Sequence, residues 1–341
     1  MRALVIGGGA IGQFLAAKLR QGGNEPVIFA RPAGAEALNV RGVTLRTGAA
    51  STTVPVRATA DASDPILAEP FELAIVAVKA YSTPEAIDTL RKIPACGQAS
   101  ILTVQNGLGN EEELEEAFGR DRIVAGALTV AVDRVDETSI AATRRGGLSL
   151  APVGATPHNW MLLVWESTGL AVRAASDWRA LKWSKLCINI LGNGVCAALD
   201  WTPAEVYKDP VAFSVERACL LETISVMDRL RLIPVNLIGF PVGLLILAAR
   251  SMPAGLLRAV MANRVARGRG AKLPSLLLDL RAGRHVTEVG ALNGAVALNA
   301  VRNGCQAPSN SKISSVVSGI AAGQIPWSDY RGSPAKLVSA S

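Results

Sequence analysis

A chain of 341 residues with 50% apolar and 18% charged side chains is long enough for two cored domains and too apolar for a disordered protein. Its formal charge of +7 is scattered, and basic clusters such as 229–231 and 264–269 lack interleaved aromatics, so the balance suits an anionic small ligand rather than a nucleic acid. Five cysteines (Cys96, Cys187, Cys196, Cys219, Cys305) form no CxxC pair, and His158 and His285 stand alone, which leaves no metal spacing and fits a reducing cytoplasm.

Residues 2–6 are a short apolar, β-prone run. Gly7-Gly8-Gly9-Ala10-Ile11-Gly12 follows, and then a helical pattern through Phe14, Leu15, Ala17 and Leu19. The motif is G-x-G-x-x-G between a strand and a helix, the context a dinucleotide-binding turn requires. The first glycine permits the turn, the second lets backbone approach a pyrophosphate, and the third lets helix and strand pack closely. The helix N-terminus then offers N–H groups to phosphates. Gly7, Gly9, Ala10, Ile11 and Gly12 are therefore cofactor-binding candidates. The next strand, 25–30, is followed by Arg31 where an NAD site would show an acid. A guanidinium favours a 2′-phosphate and so NADP(H).

Short strand-like pieces follow at 42–46 and 53–56. Residues 72–78 and 100–104 are continuous apolar runs, as buried parallel strands are. The first leads into Lys79 and the second into Gln105-Asn106-Gly107. Ligands sit outside the carboxyl ends of such strands, which puts both on the cofactor edge. Lys79 is placed to reach a phosphate, and Asn106 to bond ribose, nicotinamide or substrate, though Asn-Gly is also a plain turn signal. Strands at 123–132, 139–143, 148–151 and 171–174 and a helix at 158–166 complete a Rossmann-type, doubly wound α/β domain over 1–176.

Residues 177–341 read as an all-helical domain. Its first helix, 183–198, is apolar on nearly every side but carries Lys185, Asn189 and Asn193. At about 100° per residue each step of four drifts only about 40°, so the three share one face over about 12 Å. A buried helix with such a face reads as the polar wall of a ligand pocket. More helices are expected at 203–207, 210–232, 276–280, 287–302 and 308–322, with a charged, glycine-bearing turn at 264–270 before Lys272 and a fraying tail from Gln324. The uncharged run 232–249 reaches spanning length, but Pro234, Asn236, Gly239, Pro241 and Gly243 break it. It is expected to form buried helices joined by turns, or an oligomer interface such as a homodimer's, without stable membrane insertion.

The glycine motif, Arg31, Lys79, Gln105-Asn106-Gly107 and Lys185-x3-Asn189-x3-Asn193 stand in one order with Pro274-Ser275, Asp279, Thr287-Glu288, Leu292-Asn293-Gly294 and Pro308-Ser-Asn310. That ordered set resembles the ketopantoate reductase (2-dehydropantoate 2-reductase) family over nearly the whole chain. The resemblance implies NADPH as hydride donor and a 2-keto acid as substrate, most simply ketopantoate, reduced to pantoate in pantothenate biosynthesis. It implies Lys185 as the catalytic lysine, with Glu288 beside it bonding a substrate hydroxyl or holding Lys185 charged. It implies Asn189, Asn193 and Ser275 as substrate-binding residues, and Lys79 and Asn106 at the cofactor edge. Nine residue steps separate Asp279 from Glu288, one more than the family pattern, and 232–262 is longer and more apolar than in compact members. The same scaffold therefore also suits another 2-keto acid or an imine. A non-catalytic NADP sensor would have no use for the lysine face.

Overall fold

The computed structural model describes residues 1–143, 145–268 and 273–338, with the side chains of 264–268 excepted. The chain divides into two compact units: Met1–Gln105, Gly109–Lys182 and Leu237–Phe240 form the first, and Asn106–Leu108, Trp183–Asn236 and Pro241–Ser341 the second.

The first unit is an α/β layer. Its strands are β1 (Arg2–Ile6), β2 (Glu25–Phe29), β3 (Val43–Thr47), β4 (Ala50–Val54), β5 (Arg57–Thr59), β6 (Leu73–Val76), β7 (Ser100–Thr103), β8 (Ile123–Leu128), β9 (Val132–Arg134), β10 (Ser139–Ala142), β11 (Leu148–Pro152) and β12 (Val172–Ala174). Eight of them form a sheet in the order β12-β11-β8-β7-β6-β1-β2-β5, and β4-β3-β10-β9 form a second, smaller sheet. Every pairing in the large sheet is parallel except β8 with β11. β6 and β8 are buried at every residue, which is why they read as uninterrupted apolar runs rather than alternating ones. The helices between strands are α1 (Ala10–Gln21), α2 (Pro32–Arg41), α3 (Thr83–Arg91), α4 (Asn110–Phe118) and α5 (Asn159–Ser167). Phe14, Leu15 and Leu19 of α1 share one core with Val5, Ile28 and Ile75 of the strands. The run 123–132, expected as one strand, is two: β8 lies in the large sheet and β9 in the small one.

The second unit is helical. α6 (Trp178–Ile190) enters it at Trp183, and α7 (Gly194–Leu199), α8 (Pro203–Lys208), α9 (Pro210–Arg229), α10 (Val242–Ser251), α11 (Ala254–Gly268), α12 (Ser275–Arg281), α13 (Asn293–Arg302) and α14 (Pro308–Ala321) follow. Local chemistry sets several of these starts. Thr202 and Glu205 make a capping box on α8, and the Asp209 carboxylate accepts the Val211 and Ala212 amides on α9. Glu222, from the middle of α9, accepts the Ser309 and Asn310 amides and so caps α14 from another helix.

The helix expected over 183–198 is broken. Gly192 takes φ +64°, and its N–H donates to the buried Glu216 carboxylate instead of continuing the helical ladder. The turn expected at 264–270 is helical backbone as far as Gly268, while 269–272, with Lys272, lie outside the described residues. The helix expected from Thr287 is instead a single 3₁₀ turn, Glu288–Gly290, followed by α13. The chain after Gln324 is packed rather than frayed: Trp327 Nε1 donates to the Ala197 and Ala198 carbonyls at 3.1 Å, and Leu337 is fully buried. Residues 339–341 lie outside the description. Of 232–249, Leu237 and Phe240 pair across a tight turn and α10 follows, with Leu244 and Leu247 exposed rather than buried. Among the described residues no helix is long and apolar enough to cross a membrane.

Candidate functional site

In the first unit the glycine turn stands where strand order reverses, with β2 on one side of β1 and β6 on the other. Ligands of open parallel sheets gather at such a point. A Cβ on Gly7, which has φ +117°, would stand 3.1 Å from the Ala77 carbonyl beyond β6. A Cβ on Gly12 would fall 1.8 Å from the Gly7 oxygen, so only glycine lets α1 start against β1. Gly9 differs, because nothing lies within 4 Å of its Cβ position. Its open side is room for a ligand to reach the backbone. No side chain caps α1, so the amides of Ala10, Ile11 and Gly12 in its first turn face that space uncapped.

Cations flank this turn. Arg31 is exposed at the N-cap of α2, next to Ala30, whose Cβ would meet one on Gly8 at 2.7 Å. Lys79 is half-buried, three residues beyond the end of β6. An open glycine, an uncapped helix and two flanking cations fit a phosphate-bearing dinucleotide. No sequence motif marks Gln13. It is fully buried, and its Nε2 donates to the Gly8 carbonyl at 2.9 Å and the Glu137 carbonyl at 2.8 Å, which ties the turn to the smaller sheet. A glutamine inside an otherwise apolar stretch of α1 was the available signal.

In the second unit the polar face is borne out in burial and altered in shape. From Ala180 to Leu199 every residue is buried except Lys185, Asn189 and Asn193, which are half-exposed. Lys185 and Asn189 sit one turn apart on α6. Asn193 lies past the break, at the N-cap of α7, where its Oδ1 accepts the Leu276 amide at 3.2 Å. That bond brings it to the first turn of α12, which opens with the half-buried Ser275 after Pro274.

The segment 106–108 belongs to this unit. Asn189 Nδ2 donates to Asn106 Oδ1 at 3.1 Å, and the Leu108 amide donates to the Ala291 carbonyl at 3.0 Å. Ala291 ends the turn that carries Glu288, itself only 4% exposed. Asn106, Asn189 and the Glu288 turn are thus drawn together, while Asn193 and Ser275 form a second group. Gly107 makes the first approach feasible: with φ +84°, its Cβ would stand 2.4 Å from the Ala291 oxygen. Gly107→Ala is expected to cost about 1–3 kcal/mol and to displace Asn106 from Asn189. A thermal melt and amide exchange of residues 104–109 check this, and unchanged values for both would show that the contact gives way freely.

Two motif residues turn out to be scaffold. Asn293 Nδ2 donates to Asn310 Oδ1 at 2.9 Å, and Asn310 donates in turn to the Cys219 carbonyl at 2.9 Å. Glu216 and Glu222, which brace the α6–α7 break and α14, belong to no sequence motif and show there only as glutamates within an apolar helical pattern.

Comparison with known proteins agrees with this architecture. A family model described as ketopantoate reductase PanE/ApbA matches residues 3–154, and its C-terminal companion matches residues 177–321. A 2-dehydropantoate 2-reductase from Mesorhizobium japonicum is 27% identical over 336 residues, covering 89% of this chain and 99% of the relative. One from Pyrococcus horikoshii is 28% identical over 206 residues, and that match spans 64% of the relative's own length. Among solved structures, a PanE/ApbA family ketopantoate reductase from Ralstonia eutropha JMP134 superposes with a TM-score of 0.79 at 22% identity, over 95% of this chain and 99% of that one. D-mandelate dehydrogenase with NADH and anilino(oxo)acetate does so with a TM-score of 0.79 at 18% identity, over the same shares.

Proposed function

The chain belongs to the ketopantoate reductase PanE/ApbA family, and we propose that it reduces 2-dehydropantoate to pantoate with NADPH, the reductive step of pantothenate biosynthesis, in the cytoplasm. The observation that carries the reading is the burial pattern of α6 and α7: three polar residues alone stay accessible in a run of twenty. The curated relatives named 2-dehydropantoate 2-reductase support the substrate.

When bound, the reduced nicotinamide supplies the hydride. Reduction of a ketone leaves negative charge on its oxygen. The Lys185 ammonium stabilises that charge and delivers a proton to the oxygen. Asn189 spends one amide hydrogen on Asn106 and keeps a second, with its carbonyl oxygen, for substrate. Asn193 uses its oxygen on the Leu276 amide, which leaves its NH₂ to bind the substrate carboxylate. Ser275 and the Glu288 carboxylate bind the substrate hydroxyl. Gly7, Gly9 and the amides of Ala10, Ile11 and Gly12 would hold the pyrophosphate, Lys79 would add a positive charge to it, and Arg31 would pair with the 2′-phosphate.

NADPH oxidation with ketopantoate, beside a panel of 2-keto acids that includes phenylglyoxylate, tests the reading. Ketopantoate is expected to give the highest kcat/KM. A higher value for an aryl keto acid would favour a second reading, the same chemistry on another substrate, which the D-mandelate dehydrogenase likeness and the apolar α10 bring forward. For Arg31→Ala, the kcat/KM ratio of NADPH over NADH is expected to fall about tenfold, the worth of one charge-assisted contact. An unchanged ratio removes Arg31 from the cofactor site.

A further inference from the structure

Lys182 and Glu111 are ionisable side chains of the first unit that lie wholly inside it, 1% and 0% exposed, and the reaction as described uses neither. Lys182 Nζ lies 2.8 Å from Glu111 Oε1 and donates to the Gln105 carbonyl at 2.6 Å. A buried ion pair adds little net stability, because desolvation of both ions offsets their attraction. Burial pushes the Glu111 carboxyl up, and the Lys182 charge opposes that rise. Net stability alone gives weak grounds for such a pair.

Its third contact supplies a better one. The Gln105 carbonyl belongs to the peptide group that carries the Asn106 nitrogen. The Gln105 side chain is tied down as well: Oε1 accepts from Thr103 Oγ1 at 3.0 Å, and Nε2 donates to Thr83 Oγ1 at 2.9 Å and to the Lys79 carbonyl at 3.4 Å. Thr83 Oγ1 lies 3.0 Å from Asn110 Oδ1, one residue before Glu111. This network spans the loops after β6 and β7, which carry Lys79 and Asn106. Immediately beyond it, Gly107 sits at φ +84°, a conformation that glycine holds with little intrinsic preference. The Lys182 ammonium therefore holds the oxygen of the peptide that leads into Asn106.

We propose that Lys182 and Glu111 are a positioning pair for the reductase: Glu111 holds Lys182 in place, and Lys182 fixes the Gln105–Asn106 peptide and so aims the Asn106 carboxamide. The inference rests on the reductase reading given above. Lys182→Met with Glu111→Leu removes both charges together at similar volume, which spares the fold. The double variant is expected to melt at or above the unmodified protein. Its kcat falls about tenfold, and the KM for NADPH moves by less than about twofold. Amide exchange of residues 104–109 speeds up about tenfold, with β1 and β6 unchanged. In an Asn106→Ala background the same double change costs less than about a further twofold in kcat, because the residue it acts through is gone. A stable double variant with unmodified kcat and exchange overturns the proposal, as does a full further tenfold loss with Asn106 already removed. Failure of the reductase reading shows separately, as no NADPH oxidation by the unmodified protein with any 2-keto acid. In that event the exchange of 104–109 still decides the positioning, with faster exchange supporting it and unchanged exchange overturning it.

Discussion

Lys185→Ala is expected to lower kcat about 10³-fold while NADPH still binds with an unmodified dissociation constant. On the proposed mechanism Lys185 is both the proton donor and the cation at the developing alkoxide; either contribution alone is worth about 10²–10³-fold, and the two do not multiply when one residue supplies both. The selectivity follows from location. Lys185 belongs to the helical unit, and the glycine turn, Arg31 and Lys79 belong to the other. Lys185 is half-exposed where its neighbours Ser184 and Leu186 are buried, so truncation removes a group from accessible space and opens no core cavity. Steady-state kinetics and nucleotide titration of the purified variant measure both quantities. Turnover near that of the unmodified enzyme would sink the assignment of Lys185.

Gly12→Ala is the second large effect, and it runs the opposite way. A Cβ 1.8 Å from the Gly7 carbonyl oxygen cannot be accommodated by a side-chain rotation, because the obstacle is backbone. Either α1 moves off β1 or the turn deforms. Overpacking of this kind costs about 1–3 kcal/mol, and here the distortion falls on the amides of Ala10 and Ile11. The apparent Tm is expected to drop by several degrees, and NADPH affinity by at least about tenfold. Turnover at saturating NADPH would be less affected. An alanine variant with unmodified melting and NADPH binding would show that the helix start is not constrained as the geometry requires.

The glycine motif and the polar face are legible in the sequence to different depths. The glycine motif needed only its own residues and its neighbours, because a strand, a tight turn and a helix start are local events. The polar face of 183–198 was legible as a burial pattern for the same reason: an apolar background makes each exception visible. Its shape was not. Helical spacing put Asn193 on one line with Lys185 and Asn189, yet Gly192 at φ +64° and the Glu216 carboxylate end the helix first. Asn193 then faces the Leu276 amide. A Gly-Asn-Gly run signals a break only weakly, and the glutamate that secures it lies more than twenty residues away in the chain.

The same division runs through the rest of the molecule. Composition, the continuous apolar strands and the glycine turn determined by themselves that this is an α/β nucleotide-binding unit followed by a helical one, because periodicity and turn chemistry are written within a few residues of each other. Only the tertiary structure decided that Asn106 is bonded to Asn189, that Leu108 holds the Glu288 turn, and that Lys182 meets Glu111 and the Gln105 carbonyl. Those partners are separated by more than seventy residues of chain. A buried charge declares itself in sequence only as a lysine or glutamate among others, and what it pairs with is set by how the elements pack.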